Sequence, residues 1–206
     1  MSPLAGVLSL AVAGRTQCTA VLIAPDAALT AAHCVVGEPP GRMTVSAPGA
    51  GAAIQVSQTY CLARYRFARW GDDVALMTLA APAPAPPLRL CATHCFSRAA
   101  AAADTFAGYG RQPGSLRTPR LTSGPARILR TGSGLVWLAP GRPLPCHGDS
   151  GGPLLAADGR VVALHVGGDA ACRAAAWFVR LDAPALRPLF RSVRTRTPSA
   201  AVAAPC

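Results

Sequence analysis

The chain has 206 residues, 51% of them apolar and 5% aromatic, and a formal net charge of +11. That length fits one large domain or two small ones, with enough Ala, Val and Leu to bury a core. No apolar run is long enough for a membrane span, the Ala-rich "SRAAAAADTF" (97–106) included. The charge would suit nucleic acid, but all 20 basic residues are Arg and they are scattered. The one cluster, "FRSVRTRT" (190–197), lacks alternating aromatics on which bases could stack. Neither nucleic acid nor a membrane is expected as a partner.

Taken in chain order, short apolar runs are broken by Gly, Pro, Asp and Ser. The candidate strands are 7–12, 19–24, 43–47, 53–60, 74–79, 104–110, 126–130, 135–139, 151–156, 160–166 and 176–181. Strands this short and this evenly spaced predict an all-β barrel or sandwich. The segment "APAPAPP" (81–87) cannot enter a central strand and reads as an extended connector between two β halves. Only "DAPALRPLFRSV" (182–193) reads as a helix. The end, "TRTPSAAVAAPC" (195–206), reads as a loose tail unless Cys206 ties it down.

Eight Cys is a high count for this length. There is no CxxC pair, and Cys91, His94 and Cys95 make only a weak cluster, so no metal or other cofactor is expected. An even count at wide spacing favours disulfides and an oxidising compartment, secreted or periplasmic. Yet "MSPLAGVLSLAVAG" (1–14) lacks the basic start of a signal peptide.

The stretch "CHGDSGGPL" (146–154) surrounds Ser150 with glycines, which are poor in helices and strands. Such a loop can wrap its backbone around a reacting atom. A nucleophilic hydroxyl needs a base, a group that orients the base, and donors for an oxyanion. Of the four His, His33 in "LTAAHCV" follows an apolar run with small residues around it. Asp73, in "GDDVALMTL", heads another, where a buried carboxylate needs a partner such as an imidazole N–H; Asp72 competes with it. Taken singly, each has a bland reading: a core histidine, a turn aspartate, a surface loop.

Together the segments resemble the trypsin-like (chymotrypsin-fold) serine peptidases. "TAAHC" (30–34), "DVAL" (73–76) and "GDSGGP" (148–153) match the family's His, Asp and Ser motifs in order, 40 and then 77 residues apart. "GYG" (108–110) sits where the family has a Gly-aromatic-Gly turn, and the likeness runs over roughly residues 5 to 190. It implies two six-stranded antiparallel β-barrels with the active site between them and a short C-terminal helix. The peptidase domain would span 1–194, with halves near 1–85 and 86–180. It implies a monomeric endopeptidase acting on protein or peptide through an acyl-enzyme. His33 would be the general base and acid, Asp73 the residue that holds its tautomer, and Ser150 the nucleophile. Gly148 and Ser150 would form the oxyanion hole, and Asp149 would hold the loop in shape.

The resemblance also implies disulfides Cys18–Cys34 and Cys146–Cys172. Cys61, Cys91, Cys95 and Cys206 allow three pairings; Cys61 with Cys91 or Cys95 is favoured, leaving the other for Cys206. Members of the family pair a new N-terminal amine with the Asp beside the nucleophile, here Asp149, and no Ile-Val-Gly-Gly motif precedes Val7. Either the sequence starts too late, after a lost signal peptide and propeptide, or Asp149 has another partner; the late start is favoured, and the chain from Met1 is expected to be poorly active.

For specificity, the family's pocket floor falls six residues before the nucleophile, at Leu144. An apolar floor would leave a P1 Lys or Arg unpaired, so a basic P1 is rejected. Leu144 with Ala176 suits an apolar side chain. Against that, His165 with Gly167 and Gly168 resembles the His-x-Gly-Gly strand of glutamyl endopeptidases, where the His meets an acidic P1, and His147 and Arg173 add positive charge at the rim. The expectation is an acidic or apolar P1, acidic slightly ahead. The alternative is a weak or inactive homologue that serves as a binding module.

Overall fold

Two β units share the chain. In the first, β1 (Val7–Val12) and β2 (Arg15–Ala24) form a hairpin. Its turn, Ala13 and Gly14, has positive φ at both residues, 49° and 77°. This two-residue turn matches the right-handed twist of the strands; Gly14 adopts it freely, whereas Ala13 costs about 1 kcal/mol. Along β1 the residues facing in, Leu8, Leu10 and Val12, are buried.

With β3 (Ala27–Thr30), β4 (Met43–Ser46), β5 (Ile54–Leu62) and β6 (Ala75–Leu79), the hairpin makes a sheet of order β5-β4-β1-β2-β3-β6. Pairing of β5 with β6 closes it into a six-stranded barrel. The structure, a computed structural model, describes residues 4–67, 69–91, 95–96, 104–111, 119–132, 134–141, 143–195, 201–203 and 205–206.

The second unit holds β7 (Asp104–Gly108), β8 (Thr122–Ala126), β9 (Ile128–Gly132), β10 (Leu135–Leu138), β11 (Pro153–Leu155), β12 (Val161–Gly168) and β13 (Ala176–Arg180). The sheet order is β8-β7-β11-β12-β13-β10-β9. Among the described residues this half has seven strands, one more than the expected six, within the same two-unit β architecture. β8 and β9 lie at opposite ends of that order yet are separated in the chain by Arg127 alone, so the sheet must curl back on itself.

The polyproline connector runs along the first barrel, with Ala83 N bonded to Pro25 O and Leu88 N to Leu22 O. The chain then joins the second sheet through the Leu90–Val161 bridge. The larger core draws on both halves: Leu10, Leu22, Leu29 and Met77 pack in one cluster with Leu164, Val166 and Leu181. The second core centres on Phe106, Val136, Leu154 and Phe178.

α1 (Arg187–Thr195) is shorter at its start than expected, because Pro184 opens a tight 3-10 turn over Pro184–Leu186 first. Pro188 falls in the first turn of α1, where its missing N–H costs nothing. The helix packs against β5 and β6. The described end of the tail is tied down: β14 (Val202–Ala203) pairs with Leu62 and Cys61, and Cys206 is disulfide-bonded to Cys61.

Cys91 bonds to Cys95, so the favoured pairing of Cys61 with either of them is wrong. Cys61 lies at the end of β5 beside β14, which brings Cys206 to it. The remaining bonds are Cys18–Cys34 and Cys146–Cys172.

Candidate active site

β3 ends at Thr30, and the chain enters a 3-10 turn, Ala32–Cys34, that carries His33. The Cys18–Cys34 bond, Cα–Cα 6.3 Å, ties this turn to β2. Another 3-10 turn, Trp70–Asp72, delivers Asp73 just ahead of β6. Asp73 is 1% exposed. Its Oδ2 lies 2.6 Å from His33 Nδ1, and its Oδ1 accepts the His33 backbone N–H at 2.9 Å. Both carboxylate oxygens therefore fix one residue, ring and backbone together.

Asp72 points elsewhere: its oxygens accept from Arg64 Nε at 3.0 Å and from the Arg64 guanidinium at 2.8 Å. The Tyr65 phenol is pushed up by burial first and by the charge of Asp73 second, so it stays protonated beside that carboxylate. Tyr65 escaped the sequence reading because a Tyr between Arg residues looks like surface.

The loop of Ser150 is held from two sides. Thr19, a fully buried residue of β2, donates its N–H to Ser150 O and its hydroxyl to Gly148 O, both at 2.8 Å, and its Oγ1 accepts from Tyr109 N at 2.9 Å. Thr30 Oγ1 in turn donates to Thr19 O. Gly151 sits at φ 83°, and a Cβ there would strike Thr19 O and Thr30 Oγ1, so the loop lies against the first barrel only because that position carries no side chain.

Below the loop, Asp149 accepts from Gly110 N at 2.7 Å and Cys146 N at 2.8 Å. Burial raises its pKa, and these two N–H groups oppose the rise. A Cβ on Gly108 or Gly110 would collide with that carboxylate, which is the local reason for "GYG". No cation pairs with Asp149 among the described residues.

A cleft of about 370 Å³ runs between the halves. His33, Ser150, His147, His165, Gly167 and Gly168 line it, as do Phe67 and Trp70. Ser150 Oγ makes no protein hydrogen bond among the described residues, and the N–H groups of Gly148 and Ser150 meet no protein acceptor among them. Phe67, 79% exposed, and Trp70 form an aromatic wall with ring centroids 6.4 Å apart. Sequence reasoning missed that wall: "FARW" shows no strand alternation, and only folding sets it beside His33.

Leu144 and Ala176 are buried in the second core and are not among the described lining residues. Arg173 donates its backbone N–H to Asp169, and its side chain is not among the lining residues either. His94 lies outside the described residues.

His165, on β12, is 4% exposed, and neither ring nitrogen has a hydrogen-bond partner. Burial takes its pKa down to about 3; backbone groups of Gly167 and Asp149, near the ring but outside hydrogen-bond geometry, oppose this, and His33 adds to the lowering. The ring is neutral at pH 7 and meets Phe178 edge-on at 5.1 Å. Among the described lining residues one is acidic, Asp169, but its oxygens already accept the N–H groups of Arg173, Ala174 and Ala175.

The family model described as trypsin matches residues 5–182. Comparison with curated proteins gives no match.

Proposed function

The chain belongs to the trypsin family of serine peptidases, and from that premise we propose that it is an endopeptidase in which Ser150, His33 and Asp73 carry the reaction. The observation that carries this reading is the 2.6 Å contact of His33 Nδ1 with buried Asp73, in a cleft that His33 shares with Ser150.

Ser150 Oγ adds to the scissile carbonyl carbon while His33 Nε2 takes the hydroxyl proton. The carbonyl π electrons move onto oxygen, which the N–H groups of Gly148 and Ser150 stabilise by a few kcal/mol. Collapse re-forms the carbonyl and breaks the C–N bond. His33 gives its proton to the leaving amine, and an ester to Ser150 remains. Water then adds with its proton going to His33, and the C–O bond to Ser150 breaks as that proton returns. Asp73 keeps a proton on Nδ1, so that Nε2 is the basic nitrogen, and it offsets the charge that forms on the ring. Asp149 holds the loop through its two backbone hydrogen bonds.

The substrate is a protein or peptide, with an acidic or apolar P1 rather than a basic one. His165 favours the acidic reading: a neutral imidazole with two orphaned nitrogens can donate an N–H to a P1 carboxylate, and a buried polar group without a partner is costly. The apolar reading draws on Pro145, Val166 and Trp70 in the same lining. A P1 cation finds no carboxylate free of other bonds among the described lining residues.

The test is hydrolysis of casein together with labelling by a fluorophosphonate. The parent should cleave casein and carry the label on Ser150, and Ser150→Ala should do neither. A chain that binds peptide but is neither labelled nor active would be a binding module instead. Four disulfides fit an oxidising compartment, and export to the periplasm or the exterior is part of this proposal.

A further inference from the structure

A second cavity, about 360 Å³, borders the Ser150 loop at His147 and Gly148. Its described lining is Arg15, Thr16 and Gln17 from the start of β2, Tyr109 and Arg111 from the segment after β7, and His147 with Gly148. Among the described residues His147 is common to both cavities.

Three features of this cavity point the same way. Arg15 and Arg111 are exposed, and neither guanidinium has an acidic partner among the described residues. No acid is among the described lining residues. Asp149, next to Gly148 in the chain, is turned inward and gives both oxygens to backbone N–H groups. The lining is thus positive without local compensation, in a chain whose formal net charge is already +11.

Two elements fix the two arginines independently. Arg15 directly follows the Ala13–Gly14 turn and pairs with Val12. Arg111 is held by its backbone bridge to His147, with Arg111 N bonded to His147 O at 2.8 Å. Anchored backbones thus bring two planar, permanently charged donor groups to one cavity, a donor set suited to a carboxylate.

We propose that this cavity receives a carboxylate on the leaving-group side of the scissile bond. The inference rests on the peptidase reading above. If the acyl part lies in the cleft with Ser150 and His165, the departing amine leaves past Gly148 towards Arg15 and Arg111. The carboxylate is the side chain of Asp or Glu one or two residues beyond the cut, or the free C-terminus of a short leaving peptide. Chemistry alone does not separate the two sources, so the test carries an arm for each.

Peptides share all residues up to P1 and differ beyond it: Asp against Asn in a long amidated peptide, and free acid against amide in a peptide ending two residues past the cut. kcat/KM should favour at least one carboxylate form over its amide about tenfold, and the arm that shows it names the source. The ratio should shrink between 20 mM and 0.5 M salt as charges are screened. In R15A/R111A it should fall to about one. In R127A/R130A, which removes the same charge from exposed positions outside this lining, it should persist.

The same peptides are also titrated against Ser150→Ala protein with a fluorescent label, where about tenfold tighter binding of the carboxylate form is expected. That arm needs no turnover. If no peptide is cleaved, the peptidase reading falls while the binding ratio still decides the pocket. Equal binding of acid and amide in both pairs, or a preference that survives R15A/R111A, overturns the inference. A preference lost equally in R127A/R130A overturns it too, in favour of net charge alone.

Discussion

Thr19 Oγ1 and Gly148 O are joined by a 2.8 Å hydrogen bond that runs from the first barrel to the loop of Ser150. The same hydroxyl accepts from Tyr109 N, and the Thr19 backbone holds Ser150 O. One buried residue therefore fixes the carbonyl of Gly148, and with it the plane of the peptide that follows.

Thr19→Val keeps the shape and removes the hydroxyl. We expect kcat to fall about tenfold with KM little changed, because losing the bond to Gly148 O frees the stretch between the two donors, Gly148 N–H and Ser150 N–H, and displaced donors weaken charge stabilisation in the transition state more than ground-state binding. The buried Tyr109 N–H left unpaired should cost roughly 1–3 kcal/mol of stability. Thr19→Ser should restore both. Equal loss of kcat and substrate affinity would mean that Thr19 only packs.

Asp73 and Asp72 are neighbours with different partners. Asp73→Asn should lower kcat by about four orders of magnitude, the size familiar for a triad that loses its orienting carboxylate. Asp72→Asn removes a partly exposed pair with Arg64 and should change kcat little, with at most about 1 kcal/mol of stability lost. Steady-state kinetics and chemical unfolding of both variants check this; a worse Asp72→Asn would put the wrong carboxylate in the mechanism.

Substrate series that differ only at P1 test the cleft. Glu should be cleaved best or share the lead with Leu, and Arg should be poorest. If Glu leads, His165→Ala should lose most of that preference and still cleave the Leu peptide. Arg cleaved best in the parent would remove the argument from the lining.

His165 also predicts acid sensitivity. Its native pKa is about 3 against 6.5 when free. Below about 6.5 the unfolded chain takes up a proton that the native state refuses, so stability falls as pH drops from there towards 3. By pH 5 the loss is roughly 2 kcal/mol. Unfolding of the parent and of His165→Leu at pH 7 and pH 5 isolates this contribution; identical pH slopes would contradict it.

Two disulfides close loops of very different length, with separations of 145 residues for Cys61–Cys206 and 4 for Cys91–Cys95. By loop-closure entropy the long one should stabilise by about 3 kcal/mol more. Replacing each pair by Ala and measuring unfolding gives the comparison, and equal losses would point to local packing instead.

The β class was legible because alternating Val, Leu and Ala in runs such as 7–12 and 161–166 leave little room for a helix. β8 was not, since "TSGPA" places Gly124 and Pro125 where a strand is not expected, and β14 is only two residues long. The segments that bear His33, Asp73 and Ser150 stood out through their small neighbours. Leu144 did not reveal its burial, because counting back from Ser150 fixes a place in the chain and not the direction of a side chain. Thr19 looked like one more β-branched residue in an apolar strand; its role depends on a loop 129 residues away.

The tie between Cys61 and Cys206 also orders events in time. β5 is made early, but the two residues that pair with its end, and the thiol that Cys61 needs, emerge only with the last part of the chain. Contacts so distant in sequence form slowly. The first barrel must therefore wait with a strand end and a thiol open while the second half is synthesised and folded. During that interval Cys61 lacks its native partner, so its thiol stays open to any other cysteine until residue 206 has been made.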